Sequence, residues 1–273
     1  MTRTRVLTAL VLAVPIVPLI LLLPTFGFAC LAAAIAALAG WEWISLNRVR
    51  PSTVIRLTYS FAVFVLVLGA ASIRPLWPFV VTCALVVWCL LLLLVLVGIK
   101  KNTVPSFTAG YALGIGVIVP GPAVLTVIHG LEGGPLLVLT FCIIISSADI
   151  GAFFVGRSWG RRKLAPMISP GKTLEGTAGG CLAAILSGML CYGLWHTLEV
   201  DTFSGAGTWL IMVIIMSVVS IGGDLVESVV KRNAGQKDSG SLLPGHGGVL
   251  DRLDGLLPTA PAFGIWLIVL DVL

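Results

Sequence analysis

The segment from Ser220 to Asp254 holds nine charged side chains, and it lies between two strongly apolar stretches. Charged residues are costly inside a membrane, so those found there are usually functional. Four polar residues in this segment recur at the spacing i, i+3, i+4 and i+7, which places them along one face of an α-helix. These residues are Asp224, Glu227, Ser228 and Lys231. The pattern predicts a single helix face that presents polar ligands.

The residue types in this segment favour the binding of phosphate groups together with a metal ion. Asp224 and Asp251 are the strongest metal candidates, because carboxylate oxygens without a neighbouring Cys or His cluster suit Mg²⁺. Lys231 and Arg232 can neutralise phosphate charge, and arginine can do so with two parallel hydrogen bonds. Residues 244–248, Pro-Gly-His-Gly-Gly, resemble an anion-binding nest of backbone amides. This combination predicts phosphoryl or nucleotidyl transfer, which depends mainly on positioning and charge neutralisation.

Two further stretches carry polar groups at the edges of apolar segments. Asp149 lies within one such segment, where a carboxylate either serves structure or has a functional partner, and the second interpretation is favoured. Residues 169–173, Ser-Pro-Gly-Lys-Thr, can offer backbone N–H groups, hydroxyls and the ammonium of Lys172 to a phosphate. They do not form a P-loop, because the first glycine of that motif is missing. Gly176 and Gly180 form a GxxxG pattern, which is typical of close helix packing.

The composition indicates that membrane helices position these groups. Of 273 residues, 58% are hydrophobic and only 11% are charged, with mean hydropathy +1.08, whereas soluble domains carry about 25% charged residues. Net charge +5 and pI ≈ 9.0 fit the positive-inside bias of membrane proteins, so no nucleic-acid partner is expected. Apolar runs predict about nine transmembrane helices in an all-α protein. They cover residues 6–23, 26–46, 54–72, 77–98, 106–128, 136–155, 177–197, 208–226 and 256–273.

The basic residues predict how these spans are oriented. With the N-terminus in the cytoplasm, every one of the 17 Lys and Arg residues except Arg74 falls in a cytoplasmic segment. This bias favours an N-in, C-out arrangement with the active site at the cytoplasmic face, where a lipid and a soluble polyanion can both reach it. Residues 1–135 are predicted to be scaffold spans, and residues 136–273 the catalytic region of one integrated membrane domain.

The polar segment also resembles the signature of a known enzyme family over residues 228–254. The positions that carry the resemblance are Ser228, Lys231, Arg232, Lys237, Asp238, His246, Gly247, Gly248, Asp251, Arg252 and Asp254. This pattern resembles that of the phosphatidate cytidylyltransferase (CDP-diacylglycerol synthase) family, with no fixed position missing. Asp149-x-Gly151 and residues 169–180 are also similar to that family, whereas the N-terminal spans match only in general character.

The resemblance implies transfer of CMP from CTP to phosphatidic acid, which gives CDP-diacylglycerol and pyrophosphate for phospholipid synthesis. It also implies Mg²⁺, which K⁺ can accompany, a homodimer, and a multi-pass protein of the cytoplasmic membrane. The metal-binding aspartates of the family fall on Asp224 and Asp251, which with Ser228 and Lys231 are the predicted catalytic residues. The predicted substrate-binding residues are Asp149, Lys172, Thr173, Arg232, Lys237, Asp238, His246, Gly247, Gly248, Arg252 and Asp254. His246 alone is as consistent with a structural hydrogen bond as with catalysis.

Two other functions fit some of the same residues. A related CTP-dependent polyprenol or lipid kinase would transfer the γ-phosphate and release CDP. An ion-coupled transporter, with Asp149 and Asp224 as coupling sites, would need no CTP and release no pyrophosphate. The transporter is disfavoured, because the polar residues cluster at one predicted membrane face and do not line a path across it.

Overall fold

The computed structural model describes residues 15–47, 51–107, 109–197, 205–240, 242 and 247–270. Residues 15–22 are helical, and Arg74–Leu76 form a short 3-10 turn between the second and third of the helices named next. The helices that follow residues 15–22 are α1 Thr25–Ser45, α2 Thr53–Ser72, α3 Trp77–Lys101, α4 Tyr111–Ile118, α5 Pro120–His129, α6 Gly134–Trp159, α7 Leu174–Thr197, α8 Ala206–Asn233, α9 Leu250–Leu253 and α10 Leu256–Val269. Two strands, β1 Lys163–Ala165 and β2 Ser169–Thr173, lie between α6 and α7.

Seven helical segments in the described part of the chain are long and apolar enough to cross a membrane, with α4 and α5 counted as one. The prediction of a polytopic, mostly helical membrane protein is therefore confirmed. The first predicted span, 6–23, lies largely outside the described residues. The last, 256–273, corresponds to α10, which has 14 residues and is shorter than the roughly 20 that a membrane requires.

The predicted span 106–128 is divided into two helices by a proline. Pro120 is the first residue of α5, and it has no backbone N–H to continue the hydrogen-bond ladder of α4. Every residue of α5 except Val127 is buried, so this broken span lies at the centre of the bundle. By contrast, α3 exposes Phe79, Leu90 and Leu96 by more than half of their surface, as expected for a helix that faces lipid.

Small residues bring α6 and α7 together, as the GxxxG pattern predicted. A Cβ atom added at Gly180 would lie 2.6 Å from the carbonyl oxygen of Ala148, and one at Gly176 would lie 2.8 Å from that of Ala152. Neither position has room for a side chain, so the predicted packing role of the two glycines is confirmed. The close contact fixes the ends of both helices relative to each other.

A β-hairpin joins these two helices where the sequence predicted only a loop. Its strands are antiparallel, with Lys163 opposite Thr173. Glu175, in the first turn of α7, accepts hydrogen bonds from the backbone N–H groups of Arg161 at 3.0 Å and Arg162 at 3.1 Å. This carboxylate ties the start of the hairpin to α7, so the segment is an ordered element and an exception to the predicted all-α fold.

Replacing Gly180 with Ala is expected to lower the melting temperature in detergent micelles, because the added methyl group collides with the α6 backbone. The matched control is Gly193→Ala on the same helix, where an added Cβ meets nothing within 4 Å. Alanine favours helix over glycine by about 1 kcal/mol, so the control should be neutral or stabilising. An equal melting temperature for both variants would contradict the packing role of Gly180.

Candidate active site

A cavity of about 610 Å³ lies where the C-terminal ends of α6 and α8, the hairpin and the N-terminal end of α7 meet. The hairpin joins α6 to α7, so their ends lie on one side of the membrane, and α8 returns to that side. This volume is within the range of small-molecule sites, about 300–1,000 Å³. The charged residues that line the cavity are Asp149, Arg157, Lys172, Asp224, Lys231, Asp238, Asp251, Arg252 and Asp254.

The predicted polar face of α8 is confirmed, because its residues contact one another along the helix. Ser228 Oγ lies 3.4 Å from Asp224 Oδ1, and Lys231 Nζ lies 3.5 Å from Glu227 Oε1. The helix continues to Asn233, beyond the predicted end at residue 226. Lys231 therefore has a fixed helical position at the cavity wall.

Asp224 is paired with a cation from the hairpin. Lys172 Nζ lies 2.7 Å from Asp224 Oδ2 and also donates to the carbonyl oxygen of Ile221 at 3.3 Å. The side chain of Asp224 keeps 35% of its surface exposed to the cavity. The sequence analysis assigned the ammonium of Lys172 to a phosphate and did not predict its pairing with Asp224.

Asp251 is held by hydrogen bonds to both of its carboxylate oxygens. Lys231 Nζ donates to Oδ1 at 2.6 Å, and the backbone N–H groups of Gly248 and Ser239 donate to Oδ2 at 2.8 and 3.0 Å. Burial acts to raise the pKa of Asp251, but the bond from Lys231 and these amide bonds outweigh it and hold that pKa below its usual value. Asp251 is therefore a charged anchor for its own loop.

Asp254 adds a further carboxyl group at the start of α10. Burial raises the pKa of Asp254 above its usual value, and the negative charges of Asp224 and Asp149 contribute to the rise. Glu227 is buried next to the cavity, and its carboxyl group interacts with that of Asp254. Acidic groups thus converge more strongly here than the sequence alone indicated.

The chemistry of these side chains fits a magnesium ion that is bound together with phosphates. Five carboxylates and four cationic side chains line the cavity, so a polyanionic ligand needs added positive charge to bind there. No three His, Cys, Asp or Glu residues in the described ranges form a complete ligand group. Mg²⁺ does not require one, since it commonly uses one or two carboxylates, waters and substrate phosphates.

Several predicted substrate-binding residues lie away from the cavity or have another role. Arg232 donates to the carbonyl oxygen of Ile168 at 3.2 Å and so holds the hairpin turn, and Lys237 is exposed outside the cavity wall. Thr173 lines the cavity, but its hydroxyl accepts from the N–H of Gly176 at 3.1 Å and caps α7. Asp149, Lys172, Asp238, Arg252 and Asp254 do line the cavity, and their role in substrate binding stays a prediction.

In the described part of the predicted anion-binding nest, residues 247 and 248, one backbone amide binds a carboxylate of the protein itself. The amide of Gly248 is bound by Asp251, so it is not free for a substrate phosphate. Gly247 has a φ angle of 78°, a left-handed conformation that favours glycine, which explains that residue without a ligand. His246 and the preceding residues 243–245 lie outside the described residues.

Sequence reasoning missed two residues that support the site. Glu42 on α1 and Ser239 in the loop after α8 are buried and hydrogen-bond to each other at 3.0 Å. A signal for Glu42 was present, because it is an acidic residue within a predicted span, and such residues are functional candidates by default. Ser239 carries no comparable signal.

Known proteins resemble this chain over nearly its whole length. A sequence model described as the cytidylyltransferase family matches residues 3–270. The phosphatidate cytidylyltransferase of Pseudomonas aeruginosa is 38% identical over 272 residues, covering 96% of each chain. That of Haemophilus influenzae is 32% identical over 281 residues, covering 96% of this chain and 97% of the relative. That of Brucella suis is 35% identical over 264 residues, covering 94% and 90%. On this evidence the chain belongs to the cytidylyltransferase family, as its polar signature had indicated.

Proposed function

We propose that this protein transfers CMP from CTP to phosphatidate and so produces CDP-diacylglycerol and pyrophosphate. The observation that carries the proposal is the convergence of Lys172, Asp224, Lys231 and Asp251 in one cavity at one end of a membrane helix bundle. Such a position is accessible to a lipid headgroup and to a soluble nucleotide. Relatives named for this activity, which match across both chains, support the same reaction.

The proposed reaction joins two anions. A phosphate oxygen of phosphatidate attacks the α-phosphorus of CTP, a new P–O bond forms, and the bond to the bridging oxygen of the β-phosphate breaks. The attacking oxygen is already anionic and needs no general base, so catalysis consists of positioning and charge neutralisation. Lys172 and Lys231 are the described ammonium groups that already face carboxylates in the cavity and can exchange them for phosphates.

We further propose that Asp224 and Asp251 hold Mg²⁺ together with phosphate oxygens, with K⁺ as an accompanying cation. When bound, the metal supplies positive charge to the reacting phosphates and the pyrophosphate. In the structure, Lys172 forms an ion pair with Asp224, and Lys231 forms one with Asp251. Asp224 and Asp251 would hold the metal, and Lys172 and Lys231, which pair with them in the structure, would neutralise charge on the bound phosphates.

The decisive measurement follows a label from CTP into product. Purified protein is incubated with phosphatidate, Mg²⁺ and CTP labelled at the α-phosphate, and a parallel reaction uses CTP labelled at the γ-phosphate. Cytidylyl transfer places the α-label in the lipid and the γ-label in pyrophosphate. A γ-label in the lipid would instead identify a kinase, and no label in the lipid from either reaction would rule out both reactions.

The proposed arrangement in the membrane has nine spans, the N-terminus in the cytoplasm, the C-terminus outside, and a homodimer in the cytoplasmic membrane. Reporter fusions after Lys101, Lys163 and Lys237 are expected to report the cytoplasm, and a fusion after Asp201 should report the outside. The reason is the segregation of basic residues to one side. A cytoplasmic signal from the fusion after Asp201 would contradict both the orientation and a one-sided site.

A further inference from the structure

Glu42 connects the N-terminal spans to the loop between α8 and α9, a contact that the sequence did not predict. It lies near the C-terminal end of α1, and only 2% of its surface is exposed. Its oxygens accept hydrogen bonds from the backbone N–H groups of Val249 at 3.0 Å and Leu250 at 2.8 Å, and from Ser239 Oγ at 3.0 Å. A buried carboxylate is unfavourable unless such donors satisfy it, so its place depends on this loop.

The groups that bind Glu42 also hold Asp251. Ser239 Oγ lies 3.0 Å from Asp251 Oδ2 as well as 3.0 Å from Glu42 Oε2, and the backbone N–H of Ser239 donates to Asp251. Val249 and Leu250 immediately precede Asp251 in the chain. A shift of Glu42 would therefore move the backbone on which Asp251 stands, and with it the partner of Lys231.

Two glycines of the loop are packed directly against this carboxylate. A Cβ atom added at Gly240 would lie 2.5 Å from Glu42 Oε1, and one added at Gly248 would overlap Glu42 Oε2. At both positions the loop backbone lies so close to Glu42 that only glycine fits. These glycines are accounted for by the carboxylate of α1, and binding of a substrate phosphate is not needed to explain them.

We infer that Glu42 is a positioning residue of the proposed transfer site: through Ser239 and the amides of Val249 and Leu250, it sets the place of Asp251. The N-terminal spans then have two roles: they form a lipid-facing scaffold, and through Glu42 they hold Asp251 in place. Glu42 does not line the cavity, so it acts through Asp251 and not on the substrate.

The test variant is Glu42→Gln, which keeps the shape of the side chain but turns an NH₂ group toward N–H or O–H donors. We expect kcat to fall by about 10- to 100-fold, since displacement of a catalytic group by about 1 Å can cost that much. The KM for CTP should change much less. Hydrogen–deuterium exchange should rise at the amides of residues 248–250 and stay unchanged in α6.

The matched control is His129→Leu, which also removes a buried polar contact of the N-terminal spans. His129 Nε2 hydrogen-bonds to the carbonyl oxygen of Ile20 at 2.8 Å, away from the cavity. This variant should lower the melting temperature but leave exchange at residues 248–250 and kcat per folded molecule unchanged. If Glu42→Gln gives the same profile as this control, or the wild-type profile, Glu42 does not position Asp251.

A second variant keeps the inference testable if Glu42→Gln does not fold. Ser239→Ala removes the hydroxyl that lies between the carboxylates of Glu42 and Asp251. It should raise exchange at residues 248–250 and lower kcat, both by less than Glu42→Gln does. Unchanged exchange and kcat in Ser239→Ala would overturn the inference. Because Glu42 is assigned to the proposed reaction, the exchange experiment separates the two proposals: it reports on the loop even if wild-type protein transfers no CMP.

Discussion

Replacing Asp224 with Asn is expected to reduce kcat by about 1,000-fold or more, which corresponds to about 4 kcal/mol of lost transition-state stabilisation. The substitution removes the charge that pairs with Lys172 at 2.7 Å and the proposed metal ligand. Since the Asp224 side chain is partly exposed to the cavity, the protein should remain folded in the membrane. Turnover of CTP at saturating and at limiting Mg²⁺ measures the loss, and the melting temperature checks the fold.

Glu132→Gln is the matched control, because it removes an exposed carboxylate from the turn between α5 and α6. It should leave turnover and stability near those of wild type.

Asp251→Asn should also nearly abolish turnover, but with lower stability, because Asp251 anchors the loop through Ser239 and Gly248. The double variant of Asp224 and Asp251 should be scarcely worse than either single one, as for residues that act as a unit. If the fold loss in turnover of the double variant equals the product of the two single losses, Asp224 and Asp251 do not act through one shared metal ion.

Replacing Lys231 with Gln should lower both turnover and stability. Lys231 is 9% exposed and lies 2.6 Å from Asp251 Oδ1 and 3.5 Å from Glu227 Oε1. Without the ammonium group, two carboxylates face each other uncompensated, and breaking a buried ion pair typically costs about 3–5 kcal/mol. We expect turnover to fall by at least about 100-fold, as for the loss of a group that neutralises charge in the transition state. Steady-state kinetics and thermal unfolding in the same detergent measure the two effects.

Two comparisons separate the roles of Lys231 in folding and in catalysis. Lys100→Gln removes an exposed charge at the end of α3 and should change neither quantity appreciably. The double variant Lys231→Gln with Asp251→Asn removes both partners of the buried pair, so stability should partly recover. If the turnover of Lys231→Gln per folded molecule equals that of wild type, Lys231 serves only the fold. Equal, small effects of Lys231→Gln and Lys100→Gln would reduce Lys231 to a topology determinant.

The sequence by itself determined features that depend on residues a few positions apart. The shared face of Asp224, Ser228 and Lys231 follows from the helical repeat, and the structure confirms it through the contact between Asp224 and Ser228. The membrane helices follow from apolar runs, and the packing of Gly180 follows from the GxxxG pattern. The family membership followed from a long pattern over residues 228–254, whose types and order are visible without coordinates.

Partners across the bundle were decided only by the tertiary structure. Lys172 pairs with Asp224, and Lys231 with Asp251, although each aspartate has another cation nearer in sequence. Arg232, next to Lys231, points toward the hairpin turn at Ile168, because adjacent residues on a helix face different directions.

Glu42 shows the same limit over a separation of 208 residues from Leu250. Its acidic character within an apolar span was visible in the sequence, but its partners Ser239, Val249 and Leu250 were not. Backbone geometry fixes the helical repeat locally, whereas the partner of a side chain depends on how whole helices rotate and approach one another. That approach is set by contacts between distant segments, such as the loop glycines Gly240 and Gly248 against Glu42, which no local pattern specifies.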